Sequence, residues 1–232
     1  MKKVLHKAFV NTKSKTYYQT NNFLAWLTVI SILSLVLETV SSLSEYARIF
    51  FIIEWVSVLI FTGEYVGRWI ISKPVWKYPL SFFGIVDLVA IVPTFLGMGN
   101  LTFLKSARSL SIIRLLRMVR LVKVARSGPK TDDMSVATLN IVIYFVVLLI
   151  ALLLTGTSMY LVEPNLAAFS SIPSGMWWSF KVFLASIPVV YPETAIGEGF
   201  YVLTRFVGLL MLGLLVGVVG NVFKSLLLGG KK

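Results

Sequence analysis

ARSLSIIRLLRMVRLVKVAR, residues 107–126, sets six permanent cations among aliphatic side chains. Arg108, Arg114, Arg117, Arg120, Lys123 and Arg126 keep a three-residue beat, and Ser111 stands where the beat skips. At the centre of a lone membrane helix each base costs about 2.5–3.5 kcal/mol, so six cost roughly 15–21 kcal/mol. The aliphatic residues between them return only about 0.3–0.6 kcal/mol each. Such a helix must lie on a membrane surface or stand among partners that supply acids and water. A surface helix keeps its bases on one side with a period near 3.6. A period of three instead drifts by about 60° per step on an α-helix, or makes one straight row on a 3₁₀-helix. Either way the charges form a ladder along the axis, about 27 Å from Arg108 to Arg126, for which a surface binder has no use.

The rest of the chain supplies the surroundings. Of 232 residues, 57% are hydrophobic, and apolar windows of about 18 residues or more read as membrane spans. They lie near 23–43, 49–71, 80–98, 137–162 and 199–228, with the charged stretch as a sixth. The expected fold is an all-α membrane protein with six transmembrane helices.

A net charge of +12 could suggest nucleic acid, but its placement argues otherwise. Lys2, Lys3, Lys7, Lys13 and Lys15 precede the first span; Arg68, Lys73 and Lys77 follow the second. Arg126 and Lys130 follow the fourth, and Lys224, Lys231 and Lys232 close the chain. Six crossings put them all on one side, cytoplasmic by the positive-inside rule. The expectation is a multi-pass protein of the cell membrane with both termini in the cytoplasm. Its expected partners are membrane lipid, permeant ions and its own copies, with no nucleic acid.

The chain has no cysteine, which excludes disulfides, thiolate metal sites and cysteine nucleophiles. Its one histidine, His6, sits in the basic tail and reads as solvated. No metal, cofactor or catalytic residue is expected, nor a cleaved signal peptide, because the first apolar run is long and lacks a small-residue cleavage site.

Four parts follow: a basic tail at 1–19, a four-span unit at 20–126, a linker at 127–136 and a two-span unit at 137–228. Gly128 and Pro129 in RSGPKTDDM (126–134) interrupt the charged helix. Within the second unit, SIPSGMWWSFKVFLASIPVVYPE (171–193) gives a shorter helix. Ser170 or Ser171 caps it, Pro173 opens it and Pro188 limits it to roughly 14 residues, about 21 Å, too short for about 30 Å of hydrocarbon. A re-entrant helix followed by irregular backbone is the expectation, since membranes tolerate this beside protein or water. An outer loop lying on the membrane is the plainer alternative.

Partners for the ladder are present. Glu54, Phe61, Glu64 and Arg68 share one broad helix face of the second span at offsets of 0, 7, 10 and 14. Glu38 in the first span and Asp87 in the third add acids expected at membrane depth. Any one of these could be a static ion pair. Four acids beside six spaced bases suit movement better. One charge crossing the field is worth about 2.3 kcal/mol per 100 mV, so three in each of four subunits give roughly 28 kcal/mol.

FFIIEWVSVLIFTGEYVGRW (50–69), FFGIVDLVAIVPTF (82–95) and the basic triplets resemble the sensor of voltage-gated potassium channels, archaeal and bacterial six-transmembrane members included. LLVGVVGNVF (214–223) resembles the inner pore helix of the archaeal members. The resemblance implies a four-helix voltage sensor plus a pore module. Arg114, Arg117, Arg120 and Lys123 would be main gating charges. Glu64 and Asp87 with Phe61 would be the charge-transfer centre, and Gly208 the hinge of the last helix. It also implies a homotetramer around one pore.

The filter departs from that pattern. The family's T-V-G-Y-G stacks carbonyls around K⁺, whereas this chain reads KVFLASIPVVYPET, with Leu184, Ala185, Ser186, Ile187, Pro188 and Val189 and no glycine. Without glycine the backbone angles that aim carbonyls inward are not readily available, and proline forbids several conformations. No acid lies in 183–190, while Lys181 and Arg205 flank the segment. Fixed cations there favour anions or poor discrimination, unless they pair with Glu193 or Glu198 or snorkel toward water. Gly213, Gly217 and Gly220 read as close-packing glycines. The expected function is a voltage-gated channel subunit, anion-permeable or poorly selective. A potassium or other monovalent cation channel with an unorthodox filter, and a non-conducting voltage-sensing subunit, are the alternatives. A voltage-dependent phosphatase would need a cysteine nucleophile, so no enzyme is expected.

Overall fold

The computed structural model describes residues 14–96, 136–187 and 190–227. The charged segment 107–126, the joint that follows it, Pro188 and Val189 lie outside the described residues. The described chain is helical, with no strand among those residues. Its helices are α1 (Lys15–Glu38), α2 (Ala47–Ile71), α3 (Phe82–Leu96), α4 (Val136–Val162), α5 (Ile172–Phe183) and α6 (Ala195–Leu227). Short 3₁₀ turns occupy Ser41–Tyr46, Val75–Lys77 and Ala167–Phe169. Among the described residues, four stretches are long and apolar enough to cross a membrane: Lys15–Glu38, Ser41–Ile71, Thr138–Val162 and Ala195–Lys224. At 15 described residues α3 spans about 22 Å.

The first helix runs earlier than its apolar window. KTYYQTNN continues the same helix out of the apolar zone, because hydropathy marks depth in lipid while backbone bonding marks the helix. It stops at Glu38, where Thr39, Val40, Ser41 and Ser42 follow. β-Branched residues and serines propagate a helix poorly. Glu38 is therefore an exposed terminal residue of α1 and not a mid-span one.

Two compact units form, Met1–Glu38 with Ser42–Pro129, and Thr39–Ser41 with Lys130–Lys232. In the first, α2 packs on α1 and on α3. Leu24, Val58, Phe61, Tyr65 and Ile91 close its core, with Leu27, Ile60, Trp69 and Tyr78 around them. Thr28 Oγ1 on α1 donates to the Leu24 carbonyl at 2.8 Å, as Thr62 does to Val58 at 2.7 Å on α2.

In the second unit α4 packs on both α5 and α6, and α5 on α6. Met159, Phe169, Trp178 and Val182 make the core. Where α4 crosses α5, Gly156 and Gly175 meet: a Cβ on Gly156 would fall 2.5 Å from the Met176 nitrogen, and one on Gly175 would strike the Gly156 carbonyl oxygen. Ser171 caps α5, its hydroxyl oxygen accepting the Ser174 N–H at 3.3 Å, with Pro173 in the first turn. Thr39 belongs here too, its hydroxyl oxygen accepting the Ile172 N–H at 2.9 Å.

Helix α5 has 12 residues, about 18 Å, and stops short of the limit that Pro188 suggests. The Ala185 N–H donates to the Val182 carbonyl at 3.0 Å, and the Ser186 N–H to the Lys181 carbonyl at 3.1 Å. Those two bonds are the Schellman closure, which places its central residue in the left-handed region. That residue is Ala185, at φ 58°. Alanine here takes the place that glycine usually fills at a helix end.

Candidate functional site

The buried face of α2 organises the first unit. Glu54, Phe61 and Glu64 are buried, Phe61 completely, and Asp87 on α3 is completely buried as well. Glu54 and Glu64 stand ten residues apart, about 15 Å along the helix, with Phe61 between them. Each acid has a neighbour that lowers the cost of its burial. Glu54 Oε1 accepts from the Thr94 hydroxyl at 3.0 Å, and Glu64 Oε1 from Arg68 Nε at 2.9 Å. The Tyr78 hydroxyl donates to Asp87 Oδ2. Arg68 also reaches Asn21 Oδ1 on α1 at 3.5 Å.

Tyr78 sits in the connection between α2 and α3. Burial first, then the negative charge of Asp87 and the hydrogen bond to it, hold its phenol above the ordinary 10.0. The hydroxyl thus stays a donor to Asp87. Sequence reading singled out the acids from their helix offsets but missed Tyr78, Thr94 and Asn21. Hydroxyls and amides carry no periodic signal, and all three reach the site from neighbouring helices or their connection.

The structure brings Phe61, Glu54, Glu64 and Asp87 into one unit, and sets Glu38 at the end of α1. The bases Arg108, Arg114, Arg117, Arg120, Lys123 and Arg126 lie outside the described residues.

In the second unit Lys181, Trp177, Trp178, Ser174, Ala168 and Val190 are among the residues lining a cavity of about 440 Å³. The Trp178 indole N–H donates to the Val190 carbonyl at 2.9 Å and so fixes the chain after α5. Leu184, Ala185 and Ile187 are exposed and Ser186 is half-buried. Arg205 on α6 sets its guanidinium 5.3 Å from the Tyr201 ring centroid. Among the described residues, neither Lys181 nor Arg205 forms an ion pair with Glu193 or Glu198.

Gly208 is buried, and a Cβ there would fall 2.7 Å from Phe183 Cα. Gly213, Gly217 and Gly220 have nothing within 4 Å of an added Cβ. Within the described residues Gly208 is thus closely packed, while Gly213, Gly217 and Gly220 leave room for a side chain.

Glu163, just past the end of α4, is buried. Its Oε1 accepts from the Glu193 N–H at 3.2 Å, the Thr194 N–H at 2.9 Å and the Thr194 hydroxyl at 2.7 Å. Thr194 in turn accepts the Gly197 N–H at 3.0 Å and opens α6. A carboxylate suits this place, beside the positive end of a helix.

Residues 17–227 match the family model described as ion transport protein. A protein of Rhodopseudomonas palustris, provisionally named a potassium channel protein, is 30% identical over 228 residues, covering 89% of this chain and 54% of the relative. The potassium voltage-gated channel protein Shal of Drosophila melanogaster is 26% identical, over 97% of this chain and 43% of its own length. A voltage-gated potassium channel regulatory subunit of Homo sapiens is 26% identical, over 60% of this chain and 31% of its own. The chain thus spans about half the length, or less, of these relatives.

Proposed function

The chain belongs to the ion transport protein family, and on that premise we propose that it is a voltage-gated cation channel subunit of the cell membrane. It is a multi-pass protein with no enzymatic role in this reading. Both termini face the cytoplasm, following the placement of lysine and arginine, and four copies surround one pore.

One observation carries the voltage-gating part. Glu54, Phe61 and Glu64 are buried on one face of a helix long enough to cross the membrane. Fixed carboxylates on either side of a packed ring are what a moving row of bases needs, because each base leaves one acid for the next without meeting bare hydrocarbon. The bases from Arg108 to Arg126 are the moving part, and Arg114, Arg117, Arg120 and Lys123 cross the field.

For the pore, the segment after α5 supports conduction with weak discrimination. Its backbone leaves α5 through a Schellman turn at Ala185 and not through a run of glycines, so a stack of dehydrating carbonyls has no obvious support. Lys181 and Arg205 keep an anion-permeable pore as the rival. Planar bilayers containing the purified protein in a KCl gradient, then in mixed KCl and NaCl, separate these readings. In the KCl gradient a cation pore reverses at the K⁺ value and an anion pore at the Cl⁻ value. When Na⁺ replaces K⁺ on one side, weak selectivity leaves the reversal potential little moved, while a large shift restores a potassium channel with an unorthodox filter.

A second reading has its own support. Leu184 and Ile187 present exposed apolar side chains in the filter's place, and one relative is named a regulatory subunit. A non-conducting partner in a mixed channel would give silent bilayers alone and altered gating when combined with a conducting relative.

A further inference from the structure

The connection between α2 and α3 carries a cleft of about 340 Å³ whose lining includes Arg68, Ser72, Lys73, Lys77, Tyr78 and Ser81. Among the described residues, three bases and no acid line it. Two of its lining residues already hold acids from behind the cleft, Arg68 holding Glu64 and Tyr78 holding Asp87, which leaves Lys73 and Lys77 as the charges facing outward. Lys73 and Lys77 are exposed, and among the described residues they form no ion pair.

The connection is pinned by its own bonds. The Ser72 hydroxyl donates to the Pro74 carbonyl at 3.0 Å while accepting the Tyr78 N–H at 3.1 Å. The Ser81 hydroxyl donates to the Tyr78 carbonyl at 2.6 Å and accepts the Gly84 N–H at 3.1 Å. The Lys77 N–H donates to the Pro74 carbonyl at 3.0 Å. The serines thus hold the shape, and the lysines supply the charge.

Beside the cleft, Val75, Trp76, Leu80 and Phe82 are exposed, Trp76 to 64% and Leu80 to 74%. Tryptophan and bulky apolar groups exposed at the end of a spanning helix settle at the boundary of headgroups and acyl chains. A basic cleft at that depth meets phosphate oxygens before it meets any soluble anion.

We propose that this cleft is a binding site for the phosphate of an anionic phospholipid, held by Lys73 and Lys77 against the Arg68 wall. The apolar rim of Trp76, Leu80 and Phe82 takes the start of the acyl chains. The site is independent of what the pore conducts, since binding is read on the protein itself.

Native mass spectrometry of the purified full chain, titrated with phosphatidic acid or with phosphatidylcholine, tests it. Phosphatidic acid should be retained in preference to phosphatidylcholine. K73A/K77A should weaken that binding about tenfold or more, the loss expected when charge-assisted hydrogen bonds disappear. K73R/K77R should restore it, and K231A/K232A, which removes the same charge elsewhere, should leave it within about twofold. Both lysines are exposed, so the double variant keeps its fold, checked by circular dichroism. Equal losses for the two alanine pairs would reduce the effect to diffuse charge and overturn the site. Displacement of the lipid by millimolar inorganic phosphate would reassign the cleft to a free anion and overturn the lipid assignment.

Discussion

Ala185 carries a left-handed backbone, φ 58°, at the closure of α5. A β-carbon in that region costs about 1–2 kcal/mol, and glycine avoids most of it. Ala185→Gly should therefore raise the unfolding free energy by about 1 kcal/mol, read as a higher melting temperature of the purified protein; valine there should lower it. Tyr78 gives a second residue-scale expectation. Its folded pKa lies above the ordinary 10.0, because burial and Asp87 disfavour the phenolate. The stability it contributes is complete below that ordinary value and is lost as pH climbs above it, by about 1.4 kcal/mol per pH unit. Thermal melts from pH 8 to 11 should fall more steeply for the native chain than for Tyr78→Phe. Phenylalanine also starts lower at neutral pH, having left Asp87 one donor short.

At the level of elements, the contrast lies along α6. Gly208→Ala would press a methyl against Phe183 Cα, 2.7 Å from the ideal Cβ, and overpacking of backbone costs about 1–3 kcal/mol. Gly217→Ala meets nothing within 4 Å and gains about 1 kcal/mol of helix propensity. Melting curves should move in opposite directions for the two variants. A loss of the assembled species in Gly217→Ala, seen by light scattering, would instead place another subunit on that face. What was legible in the sequence divides along the same lines. Ser171 and Pro173 announce the start of α5 because caps are local chemistry. Glu54, Phe61 and Glu64 announce a shared face because helical period fixes it. The early stop of α5 did not show, because a Schellman turn on alanine lacks the usual glycine sign. Glu163 did not show either: its three donors come from thirty residues further along the chain.

For the molecule as a whole, the ladder at 108–126 is the feature most legible in sequence, while its placement lies outside the described residues. The acids it calls for are present, three of them buried within one unit. Replacing Arg117 and Arg120 together by glutamine should make the opening curve shallower in planar bilayers. Two charges in each of four subunits are worth about 18 kcal/mol per 100 mV if all cross. An unchanged slope would remove the sensor reading and leave the pore module standing alone. The pore module has its own mechanical logic in the crossing at Gly156 and Gly175. Backbone there meets backbone, the Gly175 position lying against the Gly156 carbonyl, with the Met176 side chain alongside. So close a joint leaves little slack, and α4 and α5 are expected to move together. On the proposed channel reading, the flexing that opens the pore falls to α6, along the stretch where an added Cβ on Gly213, Gly217 or Gly220 meets nothing within 4 Å.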